Sequence, residues 1–345
     1  MNLALKYRPQ NFSDLVGHEV LTRVLSNSFL MNKAPLAILL TGSSGIGKTT
    51  VARIVALCLN CINGPTSTPC GFCSNCIDIK KSIHPDVVEI DAASNTGVED
   101  MRSLLASSFY LPISAKFKVY IIDEAHMLSN NAFNSLLKTL EEPANHVKFI
   151  LATTESRKIP PTIVSRCLQF DLKKIPNKSI TERLQFIAQK EGLSFDHQDQ
   201  ILKIIATKSD GSVRNALSIL DQVILFQGSK NITLEVTKNV VCDADRKICM
   251  NILSAVLNGK ALESIHLFRS LLDKSDPLSI VEALLNIIND VSSYLISDKA
   301  NMDDDFSNEI KELMGSFPSE KNMSYPYFSR LWQAGLKGMQ EIKVS

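Results

Sequence analysis

The apolar run Leu36 to Leu40 leads into Gly42-Ser43-Ser44-Gly45-Ile46-Gly47-Lys48-Thr49, and the helix-forming stretch Thr50 to Leu59 leads out of it. Strand, glycine-rich loop and helix in this order are the context that G-x-x-x-x-G-K-[ST] requires. Glycines let backbone N–H groups close around phosphate oxygens, and the helix N-terminus adds positive potential. Lys48 reaches the terminal phosphates and Thr49 supplies a magnesium ligand. Gly42, Ser43, Ser44, Gly45, Ile46, Gly47, Lys48, Thr49 and Thr50 are the expected phosphate cradle.

The rest of the first half reads the same way. Val87 to Asp91, Lys118 to Asp123 and Lys148 to Thr153 are further β-rich runs. They alternate with helix-period segments, as in a parallel sheet covered on both faces. Thr96 precedes Val98, Met101, Leu104 and Leu105 at helical spacing; Asn130 opens a helix carrying Phe133, Leu136, Leu137 and Leu140 that stops before Pro143. From about Lys173 helical patterns take over, at Ile180 to Gln189, Gln198 to Ser209 and Ser212 to Phe226. The polar stretch Gln227 to Thr233 separates these from a third helical run with Ile252, Val256, Ile265, Phe268, Leu271, Ile280, Leu284 and Ile288 on its apolar faces. Asp303 to Asp305 and Phe317 to Tyr327, which holds two prolines, read as loops. A chain of 345 residues is expected to form two or three domains, here 1–172, 173–230 and 234–345.

The strand Val119-Tyr120-Ile121-Ile122 ends in Asp123-Glu124. At such an end an Asp holds Mg2+ while Glu orients and deprotonates a water, which reads as ATP hydrolysis; a small-molecule kinase would instead position an acceptor hydroxyl. Lys plus Arg (37) against Asp plus Glu (36) leave a formal charge of +1. No global field selects nucleic acid or an anionic membrane, so any DNA contact must come from a local basic surface.

Met1 to Gln10 lacks the features of a secretory signal, and no apolar stretch approaches about 18 residues. The expected compartment is the cytoplasm, where thiols stay reduced. Cys61-x8-Cys70-x2-Cys73-x2-Cys76 therefore points to metal. Four thiolates close a tetrahedral Zn2+ site, and a small insert with little apolar core needs such a staple. A redox dithiol is the weaker reading, since four cysteines lie close together. On spacing alone Cys58 is an alternative to Cys61 as first ligand. Cys167, Cys242 and Cys249 are isolated and read as buried or incidental.

Taken in order, these motifs resemble the AAA+ ATPases and, among them, the bacterial clamp-loader subunits. The resemblance rests on Tyr7-Arg8-Pro9-Gln10-Asn11-Phe12 with Leu15-Val16-Gly17, the phosphate loop, Glu89-Ile90-Asp91-Ala92-Ala93-Ser94 and Asp123-Glu124-Ala125-His126-Met127-Leu128. It continues through Leu136-Leu137-Lys138-Thr139-Leu140-Glu141-Glu142-Pro143, Ala152-Thr153-Thr154 and Ser165-Arg166-Cys167, and covers about residues 3 to 226. It implies an AAA+ P-loop core with a zinc insert at about 60–84, a small helical lid and an all-helical collar. Thr154 matches sensor 1, Arg166 the arginine finger offered to a neighbouring subunit, and Arg214 in Gly211-Ser212-Val213-Arg214-Asn215-Ala216 sensor 2. Tyr7, Arg8, Pro9, Val16 and Gly17 match the segment that wraps the adenine. In that family the first zinc cysteine follows an Asn at the helix end, which selects Cys61 after Asn60.

The implied activity is that of an ATP-driven motor subunit that opens a sliding clamp and loads it onto primed DNA within a replicative polymerase assembly. Lys48, Asp123, Glu124, Thr154, Arg166 and Arg214 would carry catalysis, with ATP, Mg2+ and Zn2+ bound. Partners would be the other loader subunits of a five-membered ring or spiral, the clamp and primer-template DNA, with no membrane. Alternatives are a nucleotide-bound scaffold with little turnover, and another AAA+ remodeller such as a branch-migration helicase, which is not expected to carry the four cysteines. Family members often continue into a tail that binds helicase and polymerase. The sequence ends at Ser345 without one, and a shortened chain is one reading of that end.

Overall fold

The computed structural model describes residues 2–94, 98–142, 144–241, 244–272, 276–296 and 325–344. They belong to two compact units, Met1–Thr237 and Lys238–Ser345. The expectations for Thr96, Pro143, Cys242, 303–305 and 317–324 lie outside the described residues.

The first unit is built on five parallel strands, β1 (Ala37–Thr41), β2 (Val87–Asp91), β3 (Lys118–Asp123), β4 (Val147–Thr153) and β5 (Leu168–Asp171), in the order β2-β3-β4-β1-β5. Side chains alternate across a strand, so each run feeds two cores. Ile38, Leu40, Val119, Ile121 and Ile150 pack against Leu21, Leu25 and Phe29 of α2 (Glu19–Leu30) and Val51, Ile54 and Val55 of α3 (Lys48–Asn60). On the other face Leu39, Tyr120, Ile122, Phe149 and Leu151 pack against Met101 and Leu105 of the helix Val98–Ser108 and Phe133, Leu136 and Leu140 of the helix Asn130–Glu141. Ser129 caps the latter helix, its Oγ accepting from Ala132 N at 3.3 Å.

β5 is absent from the sequence-based expectation. It is a largely exposed edge strand, so it lacks the continuous apolar run that marks a buried one, and its ladder with β1 defines it. Three helices follow, Asn177–Glu191, Gln198–Lys208 and Val213–Gln227. Gln227 to Thr233 is more than a separator, because Asn231–Ile232 pairs in parallel with Ser194–Phe195 and belongs to the first unit. Two-residue strands are too short to show a period.

In the second unit Cys249, Ile252, Leu253, Leu257, Leu271, Ile280, Ile288, Val291 and Phe328 form a buried cluster. Two expected core positions face out, Val256 at 39% exposed and Ile265 at 48%. The inward face of Ala244–Leu257 runs instead through Leu253 and Leu257. Tyr325 to Tyr327, expected in a loop, open the helix Tyr325–Val344. Pro326 is accommodated because first-turn N–H groups have no intrahelical partner to lose. No helix among the described residues is long and apolar enough to cross a membrane.

Asp86, 1% exposed just before β2, accepts from the backbone N–H groups of Ile113, Ser114 and Ala115 at 2.8, 2.8 and 2.9 Å, fixing the approach to β3. Burial is the largest single effect and raises its pKa, but the three donors together outweigh it and leave the carboxyl below its ordinary value. Its contribution is therefore complete above the unfolded value of about 3.9 and is lost as pH falls through the lower folded value. Asp86→Asn is expected to cost about 1–3 kcal/mol at neutral pH, a difference that shrinks in acid. Urea unfolding of both proteins at neutral pH and near pH 3 measures it.

Candidate nucleotide site and cysteine cluster

Parallel register brings the ends of β1 to β4, at Thr41, Asp91, Asp123 and Thr153, to one edge of the sheet. Open parallel sheets bind ligands at that edge. Between β1 and α3 two loop positions have no room for a side chain. A Cβ at Gly42 (φ +144°) would lie 2.5 Å from the Leu172 carbonyl oxygen, and one at Gly45 (φ +73°) 2.7 Å from Ser212 Oγ. Both positions also need the backbone freedom of glycine.

A cavity of about 400 Å3 lies against this loop. Its lining includes Ser44 to Thr50, Asp123 and Glu124, an apolar set of Leu5, Pro9, Leu15, Val16, Ile175 and Leu217, and the cations Arg8, Arg183 and Arg214. Tyr7 also lines it, whereas Gly17, Gly42 and Ser43 do not. Gly17 packs beside Ile175, and the carbonyls of Gly42 and Ser43 accept from Lys48 Nζ at 2.8 and 3.0 Å. Burial pushes the Lys48 ammonium down from its ordinary pKa, with Glu124 and Asp123 opposing.

Thr49 Oγ1 donates to Asp123 Oδ2 at 2.6 Å, so the two expected magnesium ligands already meet. Glu124 has a left-handed backbone, φ +46°, a conformation that costs a non-glycine residue on the order of 1–3 kcal/mol and is held by its surroundings. Its Oε2 accepts from Thr154 N at 3.3 Å and Thr154 Oγ1 at 3.1 Å, and His126 Nδ1 lies 3.4 Å away. Thr154 thus does not line the cavity itself but reaches it through Glu124. Arg8 Nε donates to Thr50 Oγ1 at 3.1 Å, and burial, with Arg53 next, lowers its pKa.

Arg214 is exposed toward solvent in the first turn of the helix Val213–Gln227 and lines the cavity. The cap of that helix does two jobs: Ser212 Oγ accepts from Asn215 N at 3.2 Å and donates to the Gly45 carbonyl at 2.8 Å. Arg166 stands apart from the cavity, exposed, with Nη1 donating to Thr162 O at 2.8 Å and Nη2 to Glu141 Oε1 at 2.6 Å.

The sequence reading missed His18, whose Nε2 lies 3.3 Å from Ile46 O, and also Ile175, Arg183 and Leu217. Leu217 was legible, being three residues past Arg214 on one helical face. His18, Ile175 and Arg183 carry no local signal, because docking of separate elements places them.

The Sγ atoms of Cys61, Cys70, Cys73 and Cys76 all lie within 4.8 Å of one another. Zn–S bonds of about 2.3 Å in a tetrahedron need S···S edges of about 3.8 Å; Cys70 and Cys76 are 4.0 Å apart. The backbone N–H groups of Cys70, Cys73 and Cys76 point to the sulfurs of Cys61, Cys70 and Cys73 at 3.3 to 3.4 Å, an arrangement suited to thiolates. Cys58 is fully buried in α3, outside the cluster, and burial raises its pKa.

The chain is similar in fold to the Thermotoga maritima RuvB Holliday junction branch migration motor, with TM-score 0.52 and 20% identity over 72% of this chain and 79% of that one. Together with the clamp-loader lid and gamma/tau domain matches that follow, it shows an AAA+ P-loop fold. Residues 17–176 match the family described as DNA polymerase III, delta subunit, residues 179–229 the DNA polymerase III clamp loader subunit, ATPase lid domain, and residues 232–345 DNA polymerase III subunits gamma and tau domain III. DNA polymerase III subunit gamma of Buchnera aphidicola subsp. Baizongia pistaciae is 37% identical over 99% of this chain and 92% of its own length. The chain belongs to the DNA polymerase III gamma/tau family. The tau subunit of Escherichia coli is 40% identical over 91% of this chain, and that of Salmonella typhimurium 44% over 76%. This chain spans only 44% and 41% of the length of those two tau relatives.

Within the gamma/tau framework Ser212 joins lid to phosphate loop, and the two roles of its hydroxyl separate by substitution. Ser212→Ala is expected to lose about 1–2 kcal/mol of unfolding free energy. Ser212→Asp keeps the cap acceptor but places a carboxylate against the Gly45 carbonyl, so it should regain helix stability and still bind nucleotide more weakly. Thermal unfolding paired with calorimetric nucleotide titration separates the two.

Proposed function

We propose that the chain is an ATP-hydrolysing motor subunit of a bacterial clamp loader, acting in the cytoplasm to open a sliding clamp and load it onto primed DNA. The observation that carries this reading is a division of labour: Glu124 lines the chain's own cavity, while Arg166 is exposed outside it, where another chain's site could use it. The other loader subunits, the clamp and primer-template DNA are the partners this implies.

Lys48 and the backbone of Ser44 to Thr50 would hold the phosphates, with the Gly42 and Ser43 carbonyls holding Lys48, and Thr49 with Asp123 would hold Mg2+, which neutralises phosphate charge when bound. Tyr7, Arg8, Pro9 and Val16 would wall the adenine, with Gly17 outside the lining beside Ile175. Glu124 would orient and deprotonate the attacking water. It has first to leave Thr154, which makes that hydroxyl a gate as well as a reader of the γ-phosphate. Arg214 would read the same phosphate from the lid, and Arg166, released from Glu141, would place its charge on a neighbour's phosphoryl group. Cys61, Cys70, Cys73 and Cys76 would hold a structural Zn2+.

ATP turnover with partner loader subunits is expected to rise when clamp and primed DNA are both present. Arg166→Ala should abolish the rise, an arginine finger being worth about 10^3 to 10^5 in rate. Glu124→Gln should bind ATP and lose turnover by about 10^2 to 10^4. Turnover absent throughout would support a scaffold, and turnover indifferent to clamp and primer would point to another client. Elemental analysis is expected to find about one zinc per chain, and chelation should lower the thermal midpoint.

A further inference from the structure

The segment at residues 3–7 is bonded to the lid. Leu3, fully buried, donates its N–H to Asp221 Oδ2 at 2.7 Å, linking α1 (Leu3–Lys6) to the helix Val213–Gln227. Asp221 is itself only 9% exposed and lies one turn beyond Leu217, a lining residue of the cavity. Lys6 Nζ and Tyr7 Oη both donate to Glu191 Oε1 at the end of the helix Asn177–Glu191, and Arg183 of that helix reaches the Tyr7 carbonyl at 3.4 Å. The sheet core is engaged from Arg8, which holds Thr50, to Phe12, whose ring stacks on Phe29 at 6.3 Å. Ala4, Leu5, Tyr7 and Pro9 lie between or among these anchors and line the cavity.

We propose that Asp221 is a positioning residue for the base-binding wall: by holding the Leu3 N–H it makes residues 3–7 part of the lid, so that this wall and Arg214 move as one body. The inference rests on the ATP-site reading above. A bond from a backbone N–H to a buried carboxylate is strong, and cutting it strands a buried backbone N–H. The grip on phosphate comes from the loop 42–50 and from Arg214, and the Asp221 side chain bonds to neither. Loss of the anchor therefore weakens recognition of the base and spares recognition of the phosphates.

Isothermal titration of the 345-residue chain with Mg-ATP and with Mg-tripolyphosphate tests this. Asp221→Ala is expected to weaken ATP about tenfold and to leave tripolyphosphate within about twofold. Asp221→Asn keeps an acceptor oxygen for Leu3 and should recover most of the loss. Glu191→Ala cuts the second anchor, whose Lys6 end is exposed, and should show the same selectivity at about threefold, which keeps the test decisive if Asp221→Ala fails to fold. Equal weakening of both ligands, or unchanged ATP affinity, overturns the inference while leaving the nucleotide site standing. A wild-type chain that binds neither ligand overturns the site reading and this inference with it.

Discussion

The backbone of residues 42–48 has to stay bare enough to surround an anion, and much of the first unit is arranged to keep it so. Leu172 closes on Gly42 from behind β5, and Ser212 closes on Gly45 from the lid. A Cβ at either place would push away the element that shapes the cavity. The same contact that forbids a side chain at Gly45 gives the lid a direct hydrogen bond to the loop, so lid and loop positions are linked before any nucleotide contributes.

At its far end α3 is fixed as firmly. The Asn60 side chain pairs with both the N–H and the carbonyl of Phe117 at 2.9 Å, and its own carbonyl accepts from Asn75 Nδ2 at 2.8 Å. One residue thus joins the end of the phosphate-loop helix to the start of β3 and to the cysteine insert. The helix that begins with Lys48 and Thr49 is thereby held to the strand that ends at Asp123. A metal among the four cysteines would brace that joint from outside, giving the insert a mechanical use although it lies at the opposite end of α3 from the loop.

Glu124 and Arg166 share a feature: each is occupied within its own chain, by Thr154 and by Glu141. A carboxylate held by a hydroxyl and a guanidinium held by a carboxylate are both restrained from the chemistry proposed for them. Glu124 also has a left-handed backbone, a conformation that persists in a non-glycine residue only where the surrounding structure holds it.

The sequence determined what depends on local chemistry. Four of the five strands, the glycine loop, the carboxylate pair after β3, the four-cysteine spacing and the lid helices all announce themselves through apolar period or motif, because each is settled within a few residues of chain. Family likeness added roles for Thr154, Arg166 and Arg214, which spacing cannot supply. Only the tertiary structure decided that β5 completes the sheet, that Asn231 and Ile232 return to pair with Ser194 and Phe195, and that Val256 and Ile265 face outward. It alone places His18, Ile175, Arg183 and Leu3 beside residues up to 218 positions away. Those placements come from the docking of whole faces, a property of summed burial to which no single residue or short spacing is tied.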